Sequence, residues 1–249
     1  MEPEGRKGYC AAAVLAGGTG SRAGAPVPKQ FVLLDEMPVI VHTLRTFRDS
    51  GLFGILVVAI HPEWIDTLEE ILQQWDLVGA VSLVPGGATR QDSSWAALSF
   101  LRDLPDPPDR VLVHDAARCL ADADLLRRCV DGLREHAALT AAVGVTDTLA
   151  EVEPADETSV PDRWIVGVPD RRRLVRVQTP QGFRLEVILA AHRAAQARGT
   201  TGASDDAQLV LANGGTVHVV EGAGTNLKIS HPEDFALAEW LLRRSEGRG

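Results

Sequence analysis

The stretch YCAAAVLAGGTGSR, residues 9–22, joins a continuous apolar run to a turn that holds three glycines. The run Tyr9–Leu15 has the length and the apolar character of a buried strand. A glycine-rich turn after such a strand lets backbone N–H groups close around a phosphate, because no side chain stands in the way. Arg22 and Lys29 follow closely and add the positive charge that a polyphosphate requires. The stretch predicts a nucleotide-phosphate site at the end of a strand; a turn that merely links a strand to a helix is the structural alternative.

Two commoner phosphate-binding loops do not match this turn. A P-loop requires a lysine followed by serine or threonine after its last glycine, and no such pair follows here. Gly18, Gly20 and Ala23 fit the looser dinucleotide pattern, which also needs an acidic residue about 20 positions further on to hold the ribose. Met37–Leu44 contains no acidic residue and has the pattern of a helix start. A dinucleotide-dependent oxidoreductase stays a competing class, which binding of NAD(P) would identify.

The composition limits the kinds of partner. The chain has 249 residues, 45% of them hydrophobic and 24% charged, which suffices for one large α/β domain with a full core. The net charge of −9 argues against non-specific binding to nucleic acid or to an anionic membrane surface. A chain this acidic has to hold a polyphosphate with local cations, with a metal ion, or with both.

Cysteine usage and hydropathy predict a cytoplasmic protein. Cys10, Cys119 and Cys129 form no CxxC pair, so they indicate neither a disulfide framework nor a zinc site. No apolar run approaches the roughly 18 residues of a membrane span. The charged N-terminal stretch MEPEGRKG is unlike a signal peptide. We therefore expect neither a nucleic-acid nor a membrane partner.

Apolar, β-rich runs alternate with helical patterns along the chain. Because the runs are continuous rather than alternating, they indicate strands buried on both faces, hence a mostly parallel sheet with helices on each side. Ligands of such sheets bind at the carboxyl ends of the strands, so we expect the loops after several strands to share one rim. The predicted strands are Tyr9–Leu15, Ile55–Ile60, Val81–Val84, Arg110–Val113 and Thr140–Val145, and the predicted helices include Pro62–Trp75, Gln91–Leu101 and Asp122–Glu135.

The alternation breaks between Thr146 and Arg173. Leu149–Val152 and Trp164–Val168 are short, strand-like runs separated by a polar segment that contains proline, a pattern typical of a hairpin arm. An isolated two-stranded hairpin is marginal in water, so the arm should pack against something. A second subunit is the simplest candidate for the surface that the arm packs against.

Asp115 ends the apolar run VLVHD, residues 111–115. A carboxylate at the end of a central strand, on the same rim as a phosphate loop, is well placed to hold Mg²⁺ against phosphate oxygens. An N-cap for the helix that follows is the structural alternative for Asp115. His114 has no evident partner and is interpreted as structural.

Seven short motifs together resemble a known family. Over about residues 11–242 the chain is similar to the 2-C-methyl-D-erythritol 4-phosphate cytidylyltransferases of the non-mevalonate isoprenoid pathway. Each motif is modestly specific by itself, whereas the ordered set is highly specific. The motifs are LAGGTGSR at 15–22, PKQF at 28–31, GGATRQDS at 86–93, HDAAR at 114–118, QTPQ at 178–181, SDDA at 204–207 and NLKISHPED at 226–234.

The resemblance implies an α/β, Rossmann-like nucleotidyltransferase fold with a mostly parallel central sheet, helices on both faces and a projecting β-arm. It implies one domain over residues 1–249, with 146–173 as the dimerisation arm of a homodimer whose arms reach into each other's active sites. The reaction would use CTP and 2-C-methyl-D-erythritol 4-phosphate, a polyol phosphate, with Mg²⁺ or another divalent cation as cofactor. The products would be the CDP-linked alcohol and pyrophosphate.

The resemblance also assigns roles to residues that match the motifs. Arg22, Lys29, Lys228 and Arg171 would be catalytic, the first two by binding the triphosphate and the last two by aiming the acceptor, and Asp115 would hold the metal. The nucleotide would be bound by Ala16, Gly17, Gly18, Thr19, Gly20, Gly86, Gly87, Ser93, Asp115 and Ala116. The acceptor would be bound by Thr148, Arg171, Thr179, Ser204 and Lys228.

Several positions depart from the family pattern, and they concern the acceptor more than the nucleotide. Cys119 stands where proline is usual, Ala150 where lysine is frequent, and Ser204 where threonine is more common. Arg171 begins a run of three arginines, any of which could hold the acceptor phosphate. A ribitol-5-phosphate or other pentitol-phosphate cytidylyltransferase is the nearest alternative, and a catalytically inactive paralogue that serves as a scaffold is a further one.

Overall fold

The computed structural model describes residues 8–17, 27–153, 163–245 and 247. The described strands are β1 (Cys10–Ala16), β2 (Leu33–Leu34), β3 (Met37–Pro38), β4 (Ile55–Ile60), β5 (Ser82–Pro85), β6 (Arg110–Asp115), β7 (Ala138–Gly144), β8 (Glu151–Val152), β9 (Ile165–Gly167), β10 (Val175–Arg184) and β11 (His218–Glu221). Seven of them form a central sheet with strand order β11-β7-β10-β6-β1-β4-β5. Two short pairs, β2 with β3 and β8 with β9, lie outside this sheet.

The central sheet is mostly parallel, as the continuous apolar runs predict. β1 pairs in parallel with both β4 and β6, β4 pairs with β5, and β7 pairs with β11. The exception is β10, which lies antiparallel between β6 and β7 and carries a register shift between Val177 and Gln181. The motif Gln178–Gln181 lies within β10, which continues through it to Arg184.

Helices cover both faces of this sheet. The predicted helix Pro62–Trp75 begins as a 3-10 turn, Pro62–Trp64, before the α-helix starts. Met37 and Pro38 form a short strand, so the helix expected there begins at Val39. The described α-helices are α1 (Val39–Asp49), α2 (Ile65–Gln74), α3 (Arg90–Arg102), α4 (Ala123–Gly132), α5 (Leu185–Ala197), α6 (Asp206–Ala212) and α7 (Pro232–Ser245).

Two hydrophobic cores flank the sheet, and β1 contributes to both. Its even-numbered residues, such as Ala12 and Val14, pack with α1, α2 and α4, whereas Ala13 and its odd-numbered neighbours pack with α3, α5 and α6. This alternation follows from the period of two along a strand, and it explains why every residue of β1 is buried. A smaller cluster beneath α7 contains Cys119 and Ile229.

Two short strands pair within residues 146–173, the segment that the sequence predicts as an arm. β8 and β9 pair antiparallel, Glu151 with Gly167 and Val152 with Ile165, and both strands are shorter than the sequence predicts. Residues 154–162 lie outside the described residues. Because β7 leads into the arm and β10 leaves it, the hairpin projects from the point where those two strands meet.

The three cysteines are buried and free. Burial raises the pKa of each thiol to about 12. None of the described helices combines the length and the apolar character that crossing a bilayer requires.

Candidate active site

The carboxyl end of β1 is held by a buried glutamine. Gln30 lies in the 3-10 turn Lys29–Phe31 and donates from Nε2 to the carbonyl oxygen of Ala16 at 2.7 Å. The PKQF motif is thereby fixed against the start of the glycine turn. Gly18, Thr19, Gly20 and Arg22 lie outside the described residues, so their predicted roles stay predictions.

The two glycine loops converge on Ser93, in the first turn of α3. A Cβ atom on Gly17 would lie 2.7 Å from the Ser93 hydroxyl oxygen, and one on Gly86 would lie 2.9 Å from it. The same oxygen accepts from the Gly87 N–H at 3.2 Å and donates to the Thr89 carbonyl at 3.0 Å. Only residues without a side chain allow this close approach. The structure thus brings together two loops that are about 70 residues apart in sequence, as the shared rim predicts.

Asp115 ends β6 and is contacted by two cations. Its Oδ2 accepts from Lys228 Nζ at 2.8 Å, and its Oδ1 accepts from Arg90 Nε at 3.2 Å. Burial would raise the pKa of this carboxyl, but the charges of Arg90 and Lys228 outweigh burial and hold its pKa well below the ordinary value. The N-cap alternative for Asp115 is wrong, because α4 begins at Ala123 and Asp122 caps it.

Arg90 joins Asp115 to a second buried carboxylate. Its Nη1 donates to Asp206 Oδ2 at 2.7 Å, while Ser94 and His192 both contact Asp206 Oδ1, at 2.6 and 2.9 Å. Burial would raise the pKa of Asp206, but Arg90 chiefly outweighs it and lowers that pKa to about 2. Arg90 lies in the motif GGATRQDS and Asp206 in the motif SDDA, but the sequence assigns neither residue a role. Arg90 and Asp206 are 116 positions apart in sequence, so no local spacing pattern could predict their contact.

Thr179 connects β10 to the end of β6. Its Oγ1 accepts from the Asp115 N–H at 3.0 Å and lies 3.1 Å from His114 Nδ1. His114 Nε2 lies 3.1 Å from the Arg118 carbonyl, which can only accept, so Nε2 carries the proton and Nδ1 accepts from the Thr179 hydroxyl. Burial lowers the pKa of His114 to about 4, which keeps the ring neutral. His114 is structural, as interpreted, but it has two partners where the sequence suggested none.

Lys29 lies beside the segment that carries Lys228. Its Nζ donates to the Ile229 carbonyl at 2.8 Å, and the Ile229 N–H donates to the Ala117 carbonyl at 2.9 Å. Ala116 is bound to the same framework, because its N–H donates to Leu15 and its carbonyl accepts from Thr43. Three motifs that are far apart in sequence, PKQF, HDAAR and NLKI, are therefore joined by hydrogen bonds to main-chain carbonyl oxygens.

The predicted acceptor residues are only partly assembled. Thr148 and Arg171 are exposed on the arm, where Arg171 Nη1 donates to the Thr146 carbonyl at 2.7 Å. Ser204 is exposed and accepts from Gln208 at 2.8 Å. Within the described residues none of these three side chains forms a hydrogen bond or an ion pair with Asp115 or Lys228, whereas Thr179 lies directly behind Asp115.

The carboxylate of Asp115 suits a metal ion that is bound jointly by the protein and by substrate phosphates. The described residues contain no group of three or more histidine, cysteine or acidic side chains able to hold a metal ion. Mg²⁺ usually takes one or two carboxylates together with waters and substrate phosphates, so Asp115 with a nucleotide meets this requirement. Each oxygen of Asp115 has one contact here, which leaves lone pairs for a metal.

The arrangement is suited to binding anions and stabilising charge. Lysine and arginine side chains, Lys29, Arg90 and Lys228, converge on one rim with the buried carboxylate of Asp115 and with the glycine loops that pack against Ser93. Phosphoryl-transfer chemistry depends on such positioning and electrostatics rather than on a strong base.

Comparison with known proteins gives a consistent picture. Residues 10–244 match the model of the IspD family, 2-C-methyl-D-erythritol 4-phosphate cytidylyltransferase. A curated protein of that name from Bacillus cereus is 38% identical over 230 residues, which cover 92% of this chain and 96% of the relative. A crystal structure of that enzyme from Thermus thermophilus superposes with a TM-score of 0.72 at 31% identity, covering 94% of this chain and 99% of that one. The 4-diphosphocytidyl-2C-methyl-D-erythritol synthase from Anaerococcus prevotii superposes with a TM-score of 0.79 at 26% identity, covering 95% and 99%.

Proposed function

The chain belongs to the 2-C-methyl-D-erythritol 4-phosphate cytidylyltransferase family, and from that premise we propose that it transfers CMP from CTP to 2-C-methyl-D-erythritol 4-phosphate and releases pyrophosphate. The observation that carries the proposal is the contact between Asp115 and Lys228, at 2.8 Å, on the rim that also holds the Ser93 loop. The family match favours methylerythritol phosphate over ribitol 5-phosphate as the acceptor. It also leaves no support for a dinucleotide-dependent oxidoreductase.

The chemistry requires no general base. A phosphate oxygen of the acceptor, already anionic near neutral pH, attacks the α-phosphorus of CTP while the bond to the bridging oxygen of the β-phosphate breaks. The electron pair leaves with pyrophosphate, and no proton has to move. The main obstacle is the approach of two anions, which the cations Arg22, Lys29 and Lys228 would offset by charge and position. Lys29 supports this role because its Nζ lies against the segment that carries Lys228.

Asp115 would hold the metal together with the nucleotide phosphates. A bound Mg²⁺ would neutralise charge on those phosphates. The lowered pKa of Asp115 keeps the carboxylate ionised and ready to bind a cation at any physiological pH. Lys228 occupies Oδ2 of Asp115 in this structure, so that ammonium group would turn toward the acceptor phosphate when the substrates bind.

The chain would be one nucleotidyltransferase domain that dimerises through residues 146–173. Six of the large apolar side chains described on the arm are exposed, among them Trp164 at 76% and its neighbours Ile165, Val166 and Val168 above 60%. An exposed apolar hairpin of two short strands needs a covering surface, and a second copy would supply it. The arm would then bring Thr148 and Arg171 to the acceptor phosphate in the partner subunit. Three free cysteines are in keeping with a reducing compartment, the cytoplasm.

A pyrophosphate-release assay tests the proposed function. Release should require CTP, Mg²⁺ and methylerythritol phosphate together, and each component is left out in turn as a control. Faster turnover with ribitol 5-phosphate would refute the acceptor assignment. Equal rates with UTP or ATP would refute the cytidine specificity.

A further inference from the structure

Four charged side chains form a row that ends at the metal-binding rim. In order they are Asp206, Arg90, Asp115 and Lys228, and the signs alternate along the row. Arg90 contacts both carboxylates with one guanidinium group, through Nη1 and Nε. The rigid, planar fork of arginine allows this double contact, which the single ammonium group of lysine cannot reproduce.

The two ends of the row differ in how firmly they are held. The Asp206 side chain is 1% exposed, and besides Arg90 it accepts from Ser94 and contacts His192. Its backbone N–H donates to Gln181 Oε1 at 3.0 Å, so the start of α6 is tied to β10. At the other end the Lys228 side chain is 42% exposed. Asp206 therefore anchors Arg90 in the core, whereas Lys228 can leave.

We propose that Arg90 is a positioning residue, anchored by Asp206, that holds Oδ1 of Asp115 and so leaves Oδ2 as the oxygen exchanged between Lys228 and the metal–nucleotide. The inference rests on the proposed function in taking Asp115 as the metal ligand. Without Arg90, the Asp115 carboxylate would keep one cationic partner, Lys228, and could turn with it. Arg90 acts through Asp115 and is not itself assigned a contact with the reacting atoms.

Three variants separate positioning from folding. Arg90→Gln with Asp206→Asn removes the buried pair without leaving an unpaired charge, whereas Arg90→Gln by itself would strand Asp206. Arg90→Lys keeps the charge but not the fork. Arg127→Gln is the control, because Arg127 makes an exposed ion pair with Asp124 on α4. Binding of Mn²⁺ in the presence of CTP and without acceptor is measured by electron paramagnetic resonance, alongside thermal unfolding and kcat.

The double variant and Arg90→Lys should both unfold close to the wild-type temperature yet bind Mn²⁺ about 10–100-fold more weakly, the loss typical of removing a partner that orients a metal ligand. The value of kcat should fall by a similar factor, and Arg127→Gln should match wild type. Wild-type Mn²⁺ affinity in a folded double variant, or in Arg90→Lys, would overturn the role of Arg90 while leaving the proposed function intact. Wild-type affinity in Asp115→Asn would overturn the metal assignment and this inference together. Absence of pyrophosphate release by an enzyme that binds Mn²⁺ with CTP normally would count against the proposed acceptor alone.

Discussion

Lys29 holds a positive charge at a fixed position. Its Nζ donates to the carbonyl oxygen of Ile229, next to Lys228 in the sequence. We expect Lys29→Ala to lower kcat by about 10²–10³, the cost of losing one preorganised donor to the transition state. Steady-state kinetics measure this, with Arg193→Ala on the exposed face of α5 as the control. A near-normal kcat in Lys29→Ala would mean that the glycine-rich loop and the turn that carries Lys29 do not form the catalytic site.

His114 predicts a pH dependence of stability. Its pKa is lowered to about 4 in the folded protein, mainly by burial, against about 6.5 in the unfolded chain. Between these values the unfolded state binds the additional proton, so the stabilisation is complete above pH 6.5 and is lost as the pH falls toward 4. The loss amounts to about 3 kcal/mol.

Denaturant unfolding from pH 7 to pH 4.5 measures this effect, and His114→Gln should show a clearly flatter slope. The carboxylates Asp115 and Asp206 do not confuse the comparison, because their lowered pKa values place their contributions below about pH 4. His42 has a pKa lowered by burial and adds a smaller change of the same sign. Equal slopes in wild type and His114→Gln would show that His114 is not buried in its neutral form.

A site residue can be predicted from sequence when a local pattern fixes its position. It cannot be predicted when its position depends on a hydrogen-bond partner from a distant segment. Asp115 follows a recognisable buried strand, and its place at the rim could be predicted from that pattern. Arg90 and Gln181 could not, because their partners are polar groups from distant segments that meet only in the folded chain. Gln181 is fully buried, contrary to the usual tendency of glutamine, since Thr140 and the start of α6 satisfy its amide.

At the scale of elements, the packing of β1 against α3 makes a testable double-mutant cycle. The Ser93 hydroxyl fills the space where a Gly17 side chain would lie, at 2.7 Å, while Ser93 Cβ is 3.6 Å away. Gly17→Ala should therefore cost about 1–3 kcal/mol through overpacking. Ser93→Ala should cost about 1 kcal/mol for lost hydrogen bonds but should relieve the clash. The double variant should be more stable than the sum of the two effects predicts.

Chemical denaturation of the four proteins gives the coupling energy of this cycle. Gly144→Ala is the matched glycine control, because no atom lies within 4 Å of the position its Cβ would take. Strict additivity of Gly17→Ala and Ser93→Ala would show that the two loops do not pack as described. CTP affinity of the same proteins would report whether the packing also shapes the nucleotide site.

The strands differ in how well the sequence predicts them. Strands with uninterrupted apolar runs, such as β4, are predicted to the residue, because burial on both faces demands such a run. β10 is predicted poorly, since its buried half reads Gln-Thr-Pro-Gln and resembles a loop. Within the sheet, Gln178 Oε1 accepts from Asn226 Nδ2 and Gln181 Nε2 donates to the Thr140 hydroxyl, so these buried amides are hydrogen-bonded. These tertiary hydrogen bonds allow a loop-like sequence to form part of a buried strand.

At the scale of the whole molecule, the arm at residues 146–173 leads us to expect a dimer. Thr148 and Arg171 lie beyond β7, away from the Ser93 loop in sequence, and the arm exposes a row of apolar side chains. A dimer formed through this arm would cover that row and would complete each acceptor site with Arg171 of the other subunit. The nucleotide loops of one site and its acceptor residues Thr148 and Arg171 would then belong to different chains.

Subunit exchange tests this shared site. Lys29→Ala and Arg171→Ala are first prepared separately as near-inactive homodimers and are then mixed under conditions that allow exchange. In a heterodimer with shared sites, one site carries both lesions and the other carries neither. Random exchange should therefore restore about a quarter of all sites. Lys29→Ala mixed with itself is the control, and mass spectrometry of differently tagged chains verifies exchange. No recovery after verified exchange, or full activity of a monomer in sedimentation analysis, would contradict the shared site, because either result places Lys29 and Arg171 in the same chain's active site.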